Sequence, residues 1–188
     1  DVQLNSNIKL LNCFIELNDT SRIIEVAQTI LKEDRISDEI KIKSKLIIGN
    51  YLFEKLEFSA AKKYFNWIFS KTNNHQGSEA KYKFAKILFL ENEIDSCELQ
   101  IFDLAENYSD DYFIAKGFIL LSDVYLMKEN LFQSKATLES IINNHEGEEL
   151  VLLANKKLQY IDSLEDEKMK VKIESNIIID LLNEIEIQ

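Results

Sequence analysis

Proline is absent from this 188-residue chain, and glycine occurs only at Gly49, Gly77, Gly117 and Gly147. Most of the vocabulary of tight turns and sheets is therefore missing, and an all-helical chain is the economical reading. Basic residues are also short: 22 Lys and Arg stand against 33 Asp and Glu, a formal charge of −11. Nucleic-acid backbones reward clustered Lys and Arg, so the balance argues against a general nucleic-acid binder. It equally disfavours adhesion to anionic membranes. No apolar run approaches the roughly 18 residues of a membrane-spanning helix; the longest are fragments such as Leu150 to Ala154, and direct membrane insertion is not expected. Cys13 and Cys97 form no CxxC, and each falls in an apolar helical pattern, so both are expected to be small core residues with no disulfide between them. The chain opens at Asp1 without Met or a signal-like segment, which reads as a piece cut from a longer product.

Catalytic motifs are missing too. There is no GxxxxGK, GxGxxG, HExxH or GxSxG. The two histidines sit in near-identical stretches, Asn73-Asn74-His75-Gln76-Gly77 and Asn143-Asn144-His145-Glu146-Gly147. Asn and Gly suit a helix end and its following turn, and the stretches are two repeats apart, so a shared ion is not expected. Acidic clusters such as Asp110-Asp111 and Glu165-Asp166-Glu167 read as helix termini and solvated linkers. No catalytic residue, metal site or cofactor is expected.

What is present is apolar residues at helical spacing. Hydrophobic content of 46% with 29% charged residues belongs to a folded chain, long enough to bury a substantial core. The stretch from Leu46 to Ile68 reads as two amphipathic helices around a very short corner: Ile48, Leu52 and Phe53, then after Lys55-Leu56-Glu57 come Phe58, Ala61, Phe65 and Ile68. Gly49 and Ala61 provide small residues where two antiparallel helices approach. The pattern recurs. A first pair runs from Leu4 to Leu17 and Thr20 to Lys32, capped at Asp19 or Thr20, with Leu10, Leu11 and Phe14 facing Ile23, Ala27 and Ile30. Ser37 caps a second pair, to about Lys55 and then Phe58 to Lys71; a third runs Ser78 to Glu91 and Ile94 to Asn107; a fourth runs Asp111 to Lys128 and Leu131 to Asn144. Ile23, Ala61, Cys97 and Ser134 stand 38, 36 and 37 residues apart in equivalent places.

This spacing resembles the tetratricopeptide repeat (TPR), a helix-turn-helix unit of about 34 residues with small, aromatic and aliphatic residues at fixed offsets. Leu11 stands where the family wants a small residue, so the first repeat is degenerate. The bulky aromatic near the start of each first helix survives only as Phe118, with Asn7, Lys45 and Lys81 in its place elsewhere, and the proline that usually ends a repeat is absent. The resemblance implies one right-handed α-solenoid domain over residues 1–188, with repeats at about 4–36, 38–74, 78–110 and 111–147. C-terminal capping helices are expected at 148–166 and 170–188, the second carrying Ile173, Ile177, Ile178, Leu181, Leu182 and Ile185, with a strand around Lys170 to Glu174 as the competing assignment.

The same resemblance implies that first helices of successive repeats line a concave groove. By register the lining is Asn5, Lys9 and Asn12; Lys43, Leu46, Ile47 and Asn50; Tyr82, Lys83, Lys86 and Phe89; Lys116, Ile119, Leu120 and Asp123. Of these, Asn12, Lys43, Asn50, Tyr82, Lys83, Lys86, Lys116 and Asp123 are the candidate partner-binding residues. Five lysines on one face of an acidic chain suggest an acidic or carboxylate-bearing peptide. Asn12 and Asn50 match a position with which some family members hold a peptide backbone or terminal carboxylate, while the full Lys/Asn set of chaperone-tail readers is not reproduced. The expected function is a non-catalytic scaffold for a protein or peptide, itself a monomer; a self-assembling subunit and a regulatory domain of a larger protein are the alternatives. The stretch from Leu120 to Gly147 is similar to bacterial TPR proteins of envelope assembly and secretion, which points to the periplasm or envelope.

Overall fold

A computed structural model describes residues 2–17, 19–33 and 36–166; the expected second capping segment and its competing strand at 170–188 lie outside the described residues. Every described element is helical. The order is α1 (Val2–Glu16), α2 (Thr20–Ile30), α3 (Asp38–Glu54), α4 (Phe58–Phe69), α5 (His75–Leu90), α6 (Ile94–Asn107), α7 (Asp111–Met127) and α8 (Leu131–Asn144), followed by a helix, α9, over residues 148–166. Two compact units share the chain, Asp1–Gly117 and Phe118–Gln188, so that the passage from one to the other falls inside α7.

The helices begin where local chemistry satisfies their free N–H groups. The Asp19 carboxylate accepts from the Arg22 N–H, the Ser37 hydroxyl from Ile40, and the Asn74 amide oxygen from both Gln76 and Gly77. Asn74 therefore starts α5 three residues ahead of the expected Ser78. Gly77 is not a turn residue: a Cβ there would lie 2.1 Å from the Thr72 carbonyl oxygen, a close approach that only glycine allows. The twin Asn-Asn-His stretch does the opposite job. Asn144 ends α8, and the Gly147 carbonyl accepts from Leu150 and Val151 as the next helix begins.

The first unit is built by packing each helix on its successor from α1 to α6, with α3 also against α5, which is the contact pattern of stacked helix pairs. Gly49, Ala61, Ala85 and Cys97 are buried at the close-approach positions. Phe65 fills the space that Gly49 leaves, in a core shared with Ile42, Leu46, Ile68, Ala80 and Ile87. The second unit repeats the motif with polar atoms: Ser122 and Ser134 take the small positions, and the buried Ser134 hydroxyl donates to the Ser122 carbonyl oxygen at 2.8 Å. α9 covers this pair through Leu150, Ala154 and Ile161, pinned by ion pairs from Lys135 to Asp162 and Glu165 and from Lys157 to Asp123.

The degenerate first repeat places large residues at the seam and a small one at the position of Phe65. Leu11 and Ile23 stand where later repeats have Gly49 and Ala61, and Ala27 stands where they have Phe65; Leu11, Ala27 and Ile30 close into one cluster with Ile36 and Ile48. Two first-helix expectations fail. Leu10 is 45% exposed, and Cys13 is exposed rather than buried, because the covered stripe of α1 runs through Leu4, Asn7, Leu11 and Phe14 and these two residues lie off it. Both cysteines are free.

The second, third and fourth hairpins each turn on one residue in the left-handed region: Leu56 (φ 61°), Asn92 (φ 62°) and Glu129 (φ 57°). The following N–H then reaches back to the first helix, Glu57 to the Leu52 oxygen, Glu93 to Leu88 and Asn130 to Tyr125, at 2.8–2.9 Å. Asparagine tolerates this conformation; leucine and glutamate do not favour it. Leu56→Gly is expected to raise stability by about 0.5–1 kcal/mol, the relief of left-handed strain less the added freedom of the unfolded chain. A denaturant melt checks it, and an unchanged or lower midpoint counts against the strain.

Candidate functional site

Lysines take three different roles along the first helices. Lys81, at a position where the TPR pattern has an aromatic, is buried; its Nζ donates to Gln100 Oε1 at 2.7 Å, pairs with Asp103 and lies 4.5 Å from the Phe69 ring centre. Its stem fills the space of an aromatic, and the ring and carboxylate stabilise its charge. The hydrogen bond from Lys81 holds the Asp103 carboxyl below the usual carboxylate range. Lys45, at the equivalent position in α3, sits 4.8 Å over Trp67 and 5.3 Å over Tyr64, and burial lowers its pKa. These two lysines are structural.

The third role is on the face that successive first helices share. Lys43 Nζ on α3 donates to Asn12 Oδ1 on α1 at 2.8 Å. Asn50 Nδ2 donates to Glu79 Oε1 on α5 at 2.9 Å, and Glu79 pairs with Lys83 at 3.5 Å. Lys83 and Lys86 both lie over Phe53, at 5.5 and 5.9 Å. Lys116, on the part of α7 in the first unit, lies 5.2 Å over Tyr82, 5.0 Å over Tyr112 and 5.9 Å over Phe113. A row of ammonium groups thus rests on aromatic rings from α3 to the start of α7.

Seven of the eight candidate residues, all but Asp123, make such contacts, in three separate sets: Asn12 with Lys43; Asn50, Lys83 and Lys86 through Glu79 and Phe53; and Tyr82 with Lys116. Asp123 belongs to the second unit, where it pairs with Lys157 at 2.5 Å. Several expected lining residues are instead core: Leu46, Tyr82, Ile119 and Leu120 are each at most 9% exposed, because a helix face packed between neighbours on both sides leaves only a narrow open stripe. Lys83 and Lys86 are also half-buried rather than fully exposed. For Lys83, burial disfavours the ammonium more than Glu79 supports it, and its pKa lies below that of an ordinary lysine.

Asn50 Oδ1 is buried and without a hydrogen-bond partner, closed to solvent and to a ligand alike. One feature gives this face a capacity to bind. Among the described residues neither Lys86 nor Lys116 has an acidic partner; Lys86 lies on the Phe53 ring, and Lys116 lies on three rings with its Nζ donating to the Tyr112 hydroxyl at 3.5 Å. The sequence reading missed Phe53, Glu79, Tyr112 and Phe113. The i,i+4 spacing of Glu79 and Lys83 was available as a signal; ring-on-ammonium contacts between helices of different repeats were not.

Other features are weaker. His75 Nδ1 lies 2.6 Å from Asp110 Oδ2 and its ring 5.1 Å from that of Phe113, a contact tying the start of α5 to the residue that caps α7. An open cleft of about 300 Å³ in the second unit is lined by Phe118, Tyr125, Gln133, Ala136, Thr137 and Ser140, without a charged group. Among the described residues no group of three or more His, Cys, Asp or Glu could hold a metal ion, and no helix is long and apolar enough to cross a membrane.

No protein-family model matches the sequence, and no curated protein matches it. Among solved structures the fold is similar to that of MamA protein, a TPR-containing helical-repeat protein, with a TM-score of 0.56 and 17% identity over 89% of this chain and 94% of that one. The fold is an all-α, TPR-like helical repeat of the solenoid type.

Proposed function

We propose that the chain is a non-catalytic scaffold that holds an acidic, partly apolar peptide or protein segment along the first-helix face of its N-terminal unit. The observation that carries this reading is that Lys86 and Lys116, both lying on aromatic rings of this face, have no acidic partner among the described residues. An extended peptide would place carboxylates against the two ammonium groups and lay apolar side chains over Phe53 and Tyr112. The likeness in fold to MamA supports the scaffold part of the reading. A place in the bacterial periplasm or envelope remains part of the proposal and rests on the sequence resemblance of the fourth repeat.

The test is binding of a fluorescein-labelled acidic amphipathic peptide. Lys86→Glu with Lys116→Glu is expected to leave the melting temperature nearly unchanged, weaken binding at least about tenfold and remove its salt dependence, since both charges act on a partly desolvated surface. Lys83 is left alone because a carboxylate there would face Glu79. Unchanged peptide affinity in the double variant overturns the proposal.

A further inference from the structure

Counted by the repeat period, α9 stands in the place of a first helix. Phe113, Gly117 and Val124 of α7 recur 37 residues on as Leu150, Ala154 and Ile161, and all six are buried. On α7 this side meets the preceding second helix, since a Cβ on Gly117 would touch Leu104 and Ile101 of α6. The tie from a second helix to the next first helix recurs too: Lys62 of α4 reaches Glu91 at the end of α5, 29 residues on, and Lys135 of α8 reaches Glu165 at the end of α9, 30 residues on. The other side differs. Ser78, Tyr82 and Ala85 of α5 are buried, as are Ala115, Ile119 and Ser122 of α7, whereas their successors in α9, Leu152, Lys156 and Gln159, are exposed. In the fourth repeat this side meets the repeat's own second helix, where Ser134 of α8 donates to Ser122. A fifth repeat therefore has its first helix among the described residues and an open seat for its second.

We infer that residues 170–188 of the same chain fill this seat as the second helix of a fifth repeat, packed on α9 in cis. In α4, α6 and α8 a small residue is followed four and seven places on by large apolar ones: Ala61 by Phe65 and Ile68, Cys97 by Ile101 and Leu104, Ser134 by Leu138 and Ile141. Ser175, Ile179 and Leu182 repeat that spacing, and Ser175 is the one Gly, Ala or Ser between 167 and 188. The leading apolar residue three places earlier, Phe58, Ile94 or Leu131, becomes Lys172. Length suffices: α4, α6 and α8 have 12, 14 and 14 residues after three-residue turns, and 22 residues follow α9. Because the segment is joined directly to α9, its local concentration at that seat exceeds that of any second copy in dilute solution, which favours the intramolecular contact. Seating it removes Leu152 and the isoleucines and leucines of the tail from water. The peptide site proposed for the first-helix face plays no part in this contact.

Hydrogen exchange read by mass spectrometry on the full chain is the test. In the parent, amides between 175 and 185 are expected to exchange at least about tenfold more slowly than in a synthetic peptide of residues 167–188, and to the same extent at every protein concentration. Two variants are expected to abolish that protection: a tail variant (Ile179→Asp, Leu182→Asp) and a face variant (Leu152→Glu, Gln159→Glu) whose substitutions lie on exposed positions of α9. Amides of α7 and α8 are expected to keep their parental protection in both, which shows that the described repeats stay folded. The face variant discriminates most sharply, because it leaves the sequence of the tail untouched. Free-peptide exchange of the tail in the parent overturns the inference, as does protection that survives the face variant or that rises with protein concentration. The parent measurement stands by itself if a variant fails to fold.

Discussion

Phe65→Ala is expected to cost about 3–5 kcal/mol of folding stability, the largest loss for any single truncation in the N-terminal unit. Phe65 is fully buried at the centre of α4. Its ring lies where a Cβ on Gly49 would be 2.8 Å away, so α3 and α4 approach as closely as they do because one residue has no side chain and the other has a large one. Truncation removes the transfer free energy of the ring and leaves a cavity that the flanking Ile42, Leu46 and Ile68 cannot fill without moving two helices. A guanidinium melt measures the effect. A change below about 1 kcal/mol would mean that the ring is not in the core.

Ala61→Asp and Cys97→Asp are expected to destabilise by similar and large amounts, several kcal/mol each, because both bury a carboxylate at the seam of a helix pair. Ala61 and Cys97 are both fully buried, and the same place in the second unit holds Ser134. Ser134 shows what a polar atom needs there: its hydroxyl finds the Ser122 carbonyl one helix away. An ionised carboxylate has no such donor and cannot share that bond. Parallel denaturant melts of the two variants check the register. Near-parental stability in either one would show that the 36-residue offset between them is not a structural repeat.

The spacing of small and bulky residues made the helix pairs legible from sequence, since close approach of two helices admits few residue types. α6 and α8 were located to the residue, and α3 by its Ser37 cap. The errors came from residues with two local solutions. Asn74-His75-Gln76-Gly77 can end a helix or begin one, and what decides is the Thr72 carbonyl that crowds Gly77. The first repeat departs from the pattern, with Leu11 and Ile23 where later repeats have small residues and Ala27 where they have Phe65, yet Leu11 and Ala27 still close a core with Ile30, Ile36 and Ile48.

The face was legible as a set of positions but not as a surface. Register alone aligned Asn12, Lys43, Asn50, Lys83, Lys86 and Lys116; in the structure Asn12 meets Lys43, Asn50 reaches Lys83 through Glu79, Lys83 and Lys86 share Phe53, and Lys116 lies apart over Tyr82 and Tyr112. Register could not tell that Tyr82 and Leu46 would be covered, nor that Lys81 and Lys45 would leave the solvent to serve as substitutes for aromatic residues. A lysine has a long apolar stem and a charge that rings stabilise, so its burial depends on neighbours that sequence spacing does not place.

Chemical-shift mapping of the isotopically labelled protein, titrated with the acidic amphipathic peptide, tests the central claim most directly. The account predicts saturable shifts at the amides around Phe53, Lys86 and Lys116, with α2, α4 and α6 nearly silent. Shifts concentrated instead on second helices, for example around the exposed Leu99 and Phe102 of α6, would contradict it.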